Sequence, residues 1–189
     1  NKPGTPALHG SQGELLNPGN VSLAIPEVFR DVCLGDPIFF DDGRIAGIIE
    51  KQSAEQLQVR ITHTIKPCEK LEGGRGVNLP DSNLDLAALS EKDIKDIAFA
   101  VEHADMIGLS FANSPEDVKA LYRQLKALGR HDMGAILKIE TKRGFANLPA
   151  MLLEALRFPA CGVMIARGDL AVECGFERMS EIQEEILWL

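Results

Sequence analysis

Through the first eighty residues the apolar positions come in short runs: Val21 to Ile25, Pro37 to Phe40, Ile45 to Glu50 and Leu57 to Thr64. Gly, Pro and Asp clusters separate them, which predicts β-strands. Asp-Gly stands between two apolar runs in Phe39-Phe40-Asp41-Asp42-Gly43-Arg44-Ile45, a strong hairpin signal. Leu57-Gln58-Val59-Arg60-Ile61-Thr62 alternates with period 2, so one face of that strand is expected to be buried and the other wet. The pattern predicts a small antiparallel β unit over residues 1–75.

Three glycines and a proline punctuate Glu72-Gly73-Gly74-Arg75-Gly76-Val77-Asn78-Leu79-Pro80, and the rhythm changes beyond them. A second unit is expected over 76–189, with the glycines as a hinge. Ser90-Glu91-Lys92-Asp93 supplies a helix N-cap, and Ile94, Ile97, Ala98 and Val101 follow at helical spacing, predicting a helix from Glu91 to His103. Met106 to Phe111 reads as a buried strand. Ser114-Pro115 then opens a helix that stops near Gly129. Gly134 to Ile139 and Cys161 to Ala166 repeat the strand signal. Leu148 to Leu156 forms the core of the intervening helix, and Met179, Ile182, Ile186 and Leu187 mark a closing one. Short apolar strands alternating with helices predict an α/β fold with a parallel sheet and about three βα units.

Composition narrows the partners. Twenty Lys+Arg against 28 Asp+Glu leave a net charge of −8, so the basic footprint of a nucleic-acid or anionic-membrane binder is missing. An anionic substrate would need local cations or a metal. No apolar run approaches the ~18 residues of a membrane span. Cys33, Cys68, Cys161 and Cys174 form no CxxC or zinc spacing, which predicts reduced thiols in a cytoplasmic protein. The opening Asn1-Lys2-Pro3-Gly4-Thr5-Pro6 has neither an initiator Met nor an apolar signal, which suggests a chain cut from something longer.

Ligands of parallel α/β structures sit at the carboxyl ends of the strands. Ser110, Lys138-Ile139-Glu140-Thr141 and Ala166-Arg167-Gly168-Asp169-Leu170 fall there. Lys138 and Glu140 lie two apart, so on a strand they share a face. Adjacent parallel strands run roughly 4.8 Å apart, so Glu140 and Asp169 can share one hard cation and leave its other positions to water or substrate oxygens. On spacing alone a strand-end ion pair is the favoured account of Lys138 and Glu140, and Asp169 after glycine also fits a turn. Asp41-Asp42 reads as turn chemistry, and Lys66, Lys70 and Arg75 as solvated surface.

Five blocks, in order, resemble the pyruvate kinase family: Phe40-Asp41-Asp42-Gly43, Gly76-Val77-Asn78-Leu79-Pro80, Leu89-Ser90-Glu91-Lys92-Asp93, Lys138-Ile139-Glu140 and Met164-Ile165-Ala166-Arg167-Gly168-Asp169-Leu170. The resemblance runs from about Ile25 to the last residue. It implies a (β/α)₈ barrel interrupted by a small β-barrel lid domain, and phosphoryl transfer between phosphoenolpyruvate and ADP to give pyruvate and ATP. By residue, it implies that Lys138 is catalytic and that Glu140 and Asp169 hold Mg²⁺ or Mn²⁺. It further implies that Ser110, Ala166, Arg167, Gly168 and Asp169 line the substrate, with K⁺ bound through residues outside this chain. A cytoplasmic homo-oligomer follows as the expected state.

The sequence departs from the family pattern in three places. Leu152 to Pro159 lengthens the crossover before Asp169, and Ala171 stands where the family commonly has glycine. Three convincing barrel strands are fewer than the eight a closed barrel needs, so a partial barrel is expected, inactive on its own. A Mg²⁺-dependent aldolase or lyase acting on pyruvate or oxaloacetate is the alternative enzyme. A non-catalytic metabolite-binding scaffold is the alternative outside catalysis.

Overall fold

A computed structural model describes residues 4–189; the first three residues of the expected β unit lie outside the described residues. The chain opens with a two-stranded antiparallel ribbon, β1 (Leu8–His9) and β2 (Leu15–Asn17), and one helical turn, α1 (Val28–Asp31). Strands β3 (Pro37–Phe40), β4 (Ile45–Gln52), β5 (Leu57–Thr64) and β6 (Val77–Asn78) form an antiparallel sheet in the order β5-β4-β3-β6. The expected barrel-like unit is therefore an open four-stranded sheet among the described residues. Val21 to Ile25, expected as a strand, forms none. It precedes Pro26 at the entry to α1, and both Val21 and Ile25 are exposed, so no buried face holds it extended.

The predicted hairpin forms with Phe40 opposite Ile45. Its loop runs through Asp41, Asp42 and Gly43 at φ of 51°, 54° and 80°, three successive left-handed residues. Asp tolerates that region better than most residues and Gly occupies it freely, which is why this triplet closes the turn. Val28, Val32, Ile38, Phe40, Ile45, Ile49 and Leu79 make the core of the small unit, with Val77 and Leu84 packed against it. Its packing therefore continues past residue 75, because β6 returns to pair with β3. The alternation expected of β5 holds only at Leu57 and Val59. Ile61 is half exposed on β5, an edge strand of this sheet among the described residues.

The second unit repeats strand and helix: α2 (Glu91–His103), β7 (Met106–Leu109), α3 (Pro115–Ala127), β8 (Gly134–Ile139), α4 (Lys142–Ala155), β9 (Cys161–Ile165), α5 (Arg167–Cys174) and α6 (Met179–Trp188). Strands β7, β8 and β9 lie parallel in that order. Helices α2 and α3 start at capping boxes, Ser90 with Asp93 and Ser114 with Asp117, which satisfy N–H groups the first turn leaves unpaired. Thr141 caps α4 by accepting from the Gly144 N–H at 2.9 Å. A Cβ on Gly144 would stand 2.5 Å from the Ala112 carbonyl oxygen, so glycine lets α4 begin directly against the β7–α3 turn.

The sheet has two unlike faces. Leu109, Ala135, Leu137 and Ile139 point into one core with Val118, Leu121, Leu148, Met151, Leu170 and Ile182 from the helices. Met106, Ile136, Lys138 and Met164 alternate with them on the other face, where both methionines are about half exposed. Phe158 anchors the long α4–β9 crossover by meeting Tyr122 edge-on, with ring centroids 5.4 Å apart. Leu187, expected to mark the buried side of α6, is exposed, whereas Ile182 and Ile186 are buried and Met179 packs partly buried against the same core.

Candidate active site

All the residues singled out at strand ends gather on one rim. Ser110 follows β7, Lys138 lies in β8, Glu140 follows β8, Ala166 follows β9, and Arg167, Gly168 and Asp169 form the first turn of α5. The sequence places these residues at a strand end, with a turn as the alternative at Asp169, and the structure makes them helical. Leu170, Ala171 and Val172 are buried on α5, and the Ala166 and Ile139 backbones bond at 3.1 Å, so the helix is seated by packing rather than by a sequence cap.

The Lys138 ammonium stands 2.8 Å from Glu140 Oε1 and donates to Ser110 Oγ at 3.0 Å. The Glu140 side chain is 6% exposed against 28% for Lys138, so the carboxylate is enclosed and the ammonium faces the opening. The second Glu140 oxygen accepts from the Phe111 N–H. Phe111 has φ of 50°, a left-handed conformation that is costly for a bulky residue and that turns this N–H toward Glu140. One buried carboxylate is thus gripped by an ammonium and a backbone donor from two neighbouring strands.

Asp169 joins through charge. Burial pushes its carboxyl above the ordinary range, and the Glu140 and Asp42 charges push it further, while an Asn78 side-chain hydrogen bond pulls it back. Asp42 sits at the β3–β4 hairpin tip, which approaches α5: a Cβ on Gly43 would meet Val172 Cγ2 at 3.3 Å. Arg167 and Gly168 are exposed, and Ala166 is half-buried. Lys70 and Arg75 are engaged in ion pairs, Lys70 with Glu72 at 3.3 Å and Arg75 with Asp41 and Glu72 at 3.3 Å each.

Among the described residues no three His, Cys, Asp or Glu side chains converge as a metal cage. Two hard-oxygen carboxylates, with Asp169 held up by its like-charged neighbour, fit a divalent ion that keeps most of its positions for water and substrate. Asn78 and Glu173 also belong to this cluster, and the sequence pattern assigns neither a role there. Glu173, one helical turn beyond Asp169, accepts from Asn78 Nδ2 and from the Lys142 N–H, each at 3.4 Å. Recognition of α5 as a helix would have found Glu173 by its i,i+4 spacing.

Burial raises the Glu173 carboxyl, and the Asp169 charge adds to this against the Lys142 N–H and Asn78 hydrogen bonds. A raised carboxyl binds its proton more tightly folded than unfolded, so its stabilising contribution is complete below the ordinary value of ~4.3 and is lost as pH rises through the raised one. Glu173→Gln should therefore melt higher than the parent chain at neutral pH, with the gap closing on acidification toward pH ~4. Melting curves across that range measure it, and a gap that widens on acidification would contradict the sign.

Among the described residues no helix is long and apolar enough to cross a membrane, and all four cysteines are free. The family model described as pyruvate kinase, barrel domain, matches residues 9–188. The pyruvate kinase of Mycobacterium tuberculosis is 32% identical over 196 residues, which cover 96% of this chain and 38% of that protein. The pyruvate kinase of Geobacillus stearothermophilus is 34% identical over 182 residues, covering 94% and 29%. Pyruvate kinase PKLR of Homo sapiens is 33% identical over 172 residues, covering 90% and 28%. The chain thus spans between 28% and 38% of the length of these curated relatives.

Proposed function

The chain belongs to the pyruvate kinase family, and we propose that the intact protein transfers the phosphoryl group of phosphoenolpyruvate to ADP at the carboxyl ends of β7, β8 and β9. The observation that carries this reading is the Lys138 ammonium, held between Glu140 at 2.8 Å and Ser110 at 3.0 Å on the open side of a buried carboxylate. As the phosphorus–oxygen bond breaks, negative charge collects on the enolate oxygen, and a fixed cation already in place stabilises it without reorganisation. Lys138 is the catalytic residue on this account. The enolpyruvate then takes up a proton to become pyruvate, while the phosphoryl group passes to ADP and gives ATP.

Ser110 accepts from Lys138 and aims it. Ala166, Arg167, Gly168 and Asp169 form the substrate-binding turn, where the first N–H groups of α5 have no partner within the helix and suit a substrate carboxylate. Glu140 and Asp169 would hold Mg²⁺ or Mn²⁺. When bound, such an ion neutralises charge on the substrate oxygens as a Lewis acid. K⁺ is assigned to residues outside this chain.

The parallel sheet is read as three βα units of a (β/α)₈ barrel, with Met106, Ile136 and Met164 on its interior face. Residues 1–75 are read as the lid and 76–189 as the unit bearing the site, with β6 tying the two together. The protein is read as a cytoplasmic homo-oligomer that binds neither nucleic acid nor membrane. The 189-residue chain alone is read as inactive, because among the described residues the outer edges of β7 and β9 pair with no further strand, and Met106 and Met164 stand about half exposed on the face that bears Lys138.

The test is a coupled assay on the intact protein, following pyruvate formation from phosphoenolpyruvate and ADP as Mg²⁺ is varied. Glu140→Gln keeps the volume and removes one charge, so the divalent ion should bind at least about tenfold more weakly with the fold retained. Intact wild-type protein that forms no pyruvate, or a Glu140→Gln variant with unchanged Mg²⁺ dependence, would refute the assignment.

A further inference from the structure

Asn78 and Glu140 are the two buried polar or charged residues of the described chain. Glu140 has a role in the proposed chemistry, whereas Asn78 lies on the short strand β6 of the small sheet, with no part in it. A buried carboxamide away from water needs partners for its donors and its acceptor. The strand settles its direction. Val77 and Leu79 belong to the core of the small unit, so Asn78 between them points to the opposite face, toward α5.

There its Nδ2 donates to Glu173 Oε1 at 3.4 Å, and its carboxamide pulls the neighbouring Asp169 carboxyl back against the push of burial. Asp169 and Glu173 stand four apart on α5, on the same helical face, where like charges repel. A neutral amide that donates to Glu173 beside Asp169 adds no charge to a cluster that already holds Glu140 and Asp42. Aspartate at this position would add another carboxylate, and an apolar residue would leave Glu173 without this donor.

We infer that Asn78 is a positioning residue, whose carboxamide reaches from β6 of the small sheet to Glu173 on α5 and holds in place the helical face that carries Asp169. The inference rests on the proposed reading of Glu140 and Asp169 as the cation-binding pair. Its consequence is that the small sheet sets the affinity of the site for its ion through one side chain. Groups that orient ligands in this way typically change metal affinity by ~10- to 100-fold when removed. Two polar ties nearby, Lys142 with Asp81 at 3.7 Å and Arg143 with Asn83 Oδ1 at 3.2 Å, are exposed and touch neither Asp169 nor Glu140.

The experiment is direct Mn²⁺ binding to the intact protein, read from the electron paramagnetic resonance signal of the free ion, alongside turnover as a function of Mn²⁺. Asn78→Ala should bind Mn²⁺ about tenfold more weakly. Its turnover should return to within a fewfold of wild type at saturating Mn²⁺, so that the loss falls on the metal requirement rather than on kcat. Asn78→Ser, which keeps a small polar side chain in the strand, should weaken binding by a smaller factor, and it carries the test alone if the alanine variant fails to fold. A folded variant that melts lower yet binds Mn²⁺ as tightly as wild type would show a purely structural role and overturn the inference. If wild type binds Mn²⁺, Glu140→Gln does not, and both Asn78 variants bind normally, the inference alone fails. If wild type binds no Mn²⁺, the inference and the cation-site reading fall together.

Discussion

Lys138→Met in the intact protein should lower phosphoryl transfer by about 10²- to 10³-fold, the loss typical when one preorganised charge-stabilising group is removed from a reacting oxygen. Methionine keeps the length and most of the stem of lysine, so the substitution deletes the ammonium and little else. That ammonium meets Glu140 at 2.8 Å and Ser110 at 3.0 Å, and both partners remain after the change. The effect should fall on turnover, because the cation matters most as negative charge develops on the enolate. Metal affinity should hold or rise, since Glu140 no longer shares an oxygen with a competing cation. Without metal the variant should melt lower, because the buried Glu140 carboxylate keeps only the Phe111 N–H, and Mn²⁺ should restore part of the loss. Turnover and melting temperature across an Mn²⁺ titration measure all three effects. Wild-type turnover would remove Lys138 from the chemistry.

The part of this site legible in the sequence is the part written within single strands. Period 2 alone puts Lys138 and Glu140 on one face of β8, and their side chains meet there. Helix α2 begins at Glu91 and ends at His103 as the Ser90–Asp93 capping box and the apolar spacing predict, because those signals are local and reinforce one another. Helix α5 escaped because its eight residues carry no side-chain cap and start with Arg167-Gly168 directly after a strand. Its burial against the core decides its conformation, and burial is not local. Asn78 and Phe111 were illegible for the same reason. An asparagine two residues before a proline in a glycine-rich stretch reads as a turn, and only the return of β6 to β3 carries it to α5. The left-handed backbone of Phe111 is imposed by the acceptor at Glu140, which no spacing rule announces.

Leu137→Ala should cost about 2–5 kcal/mol of folding stability, the range for truncating a fully buried leucine. Leu137 is fully buried at the centre of the middle strand, opposite Leu109 on one side and Val163 on the other, within the core beneath the helices. A domain of this size typically holds ~5–15 kcal/mol in total, so the loss takes a large fraction of what keeps β8 in place. Ile136, next along the strand, points to the other face and is only half-buried, so Ile136→Ala in the 189-residue chain should cost well under ~2 kcal/mol. In an intact closed barrel that second face is interior, and the cost of Ile136→Ala should rise toward that of Leu137→Ala. Urea unfolding of both variants, in the 189-residue chain and in the intact protein, measures the contrast. Equal losses at the two positions in the shorter chain would mean that the face bearing Lys138 is already covered there, and the reading of the sheet as an open arc of a larger barrel would be wrong.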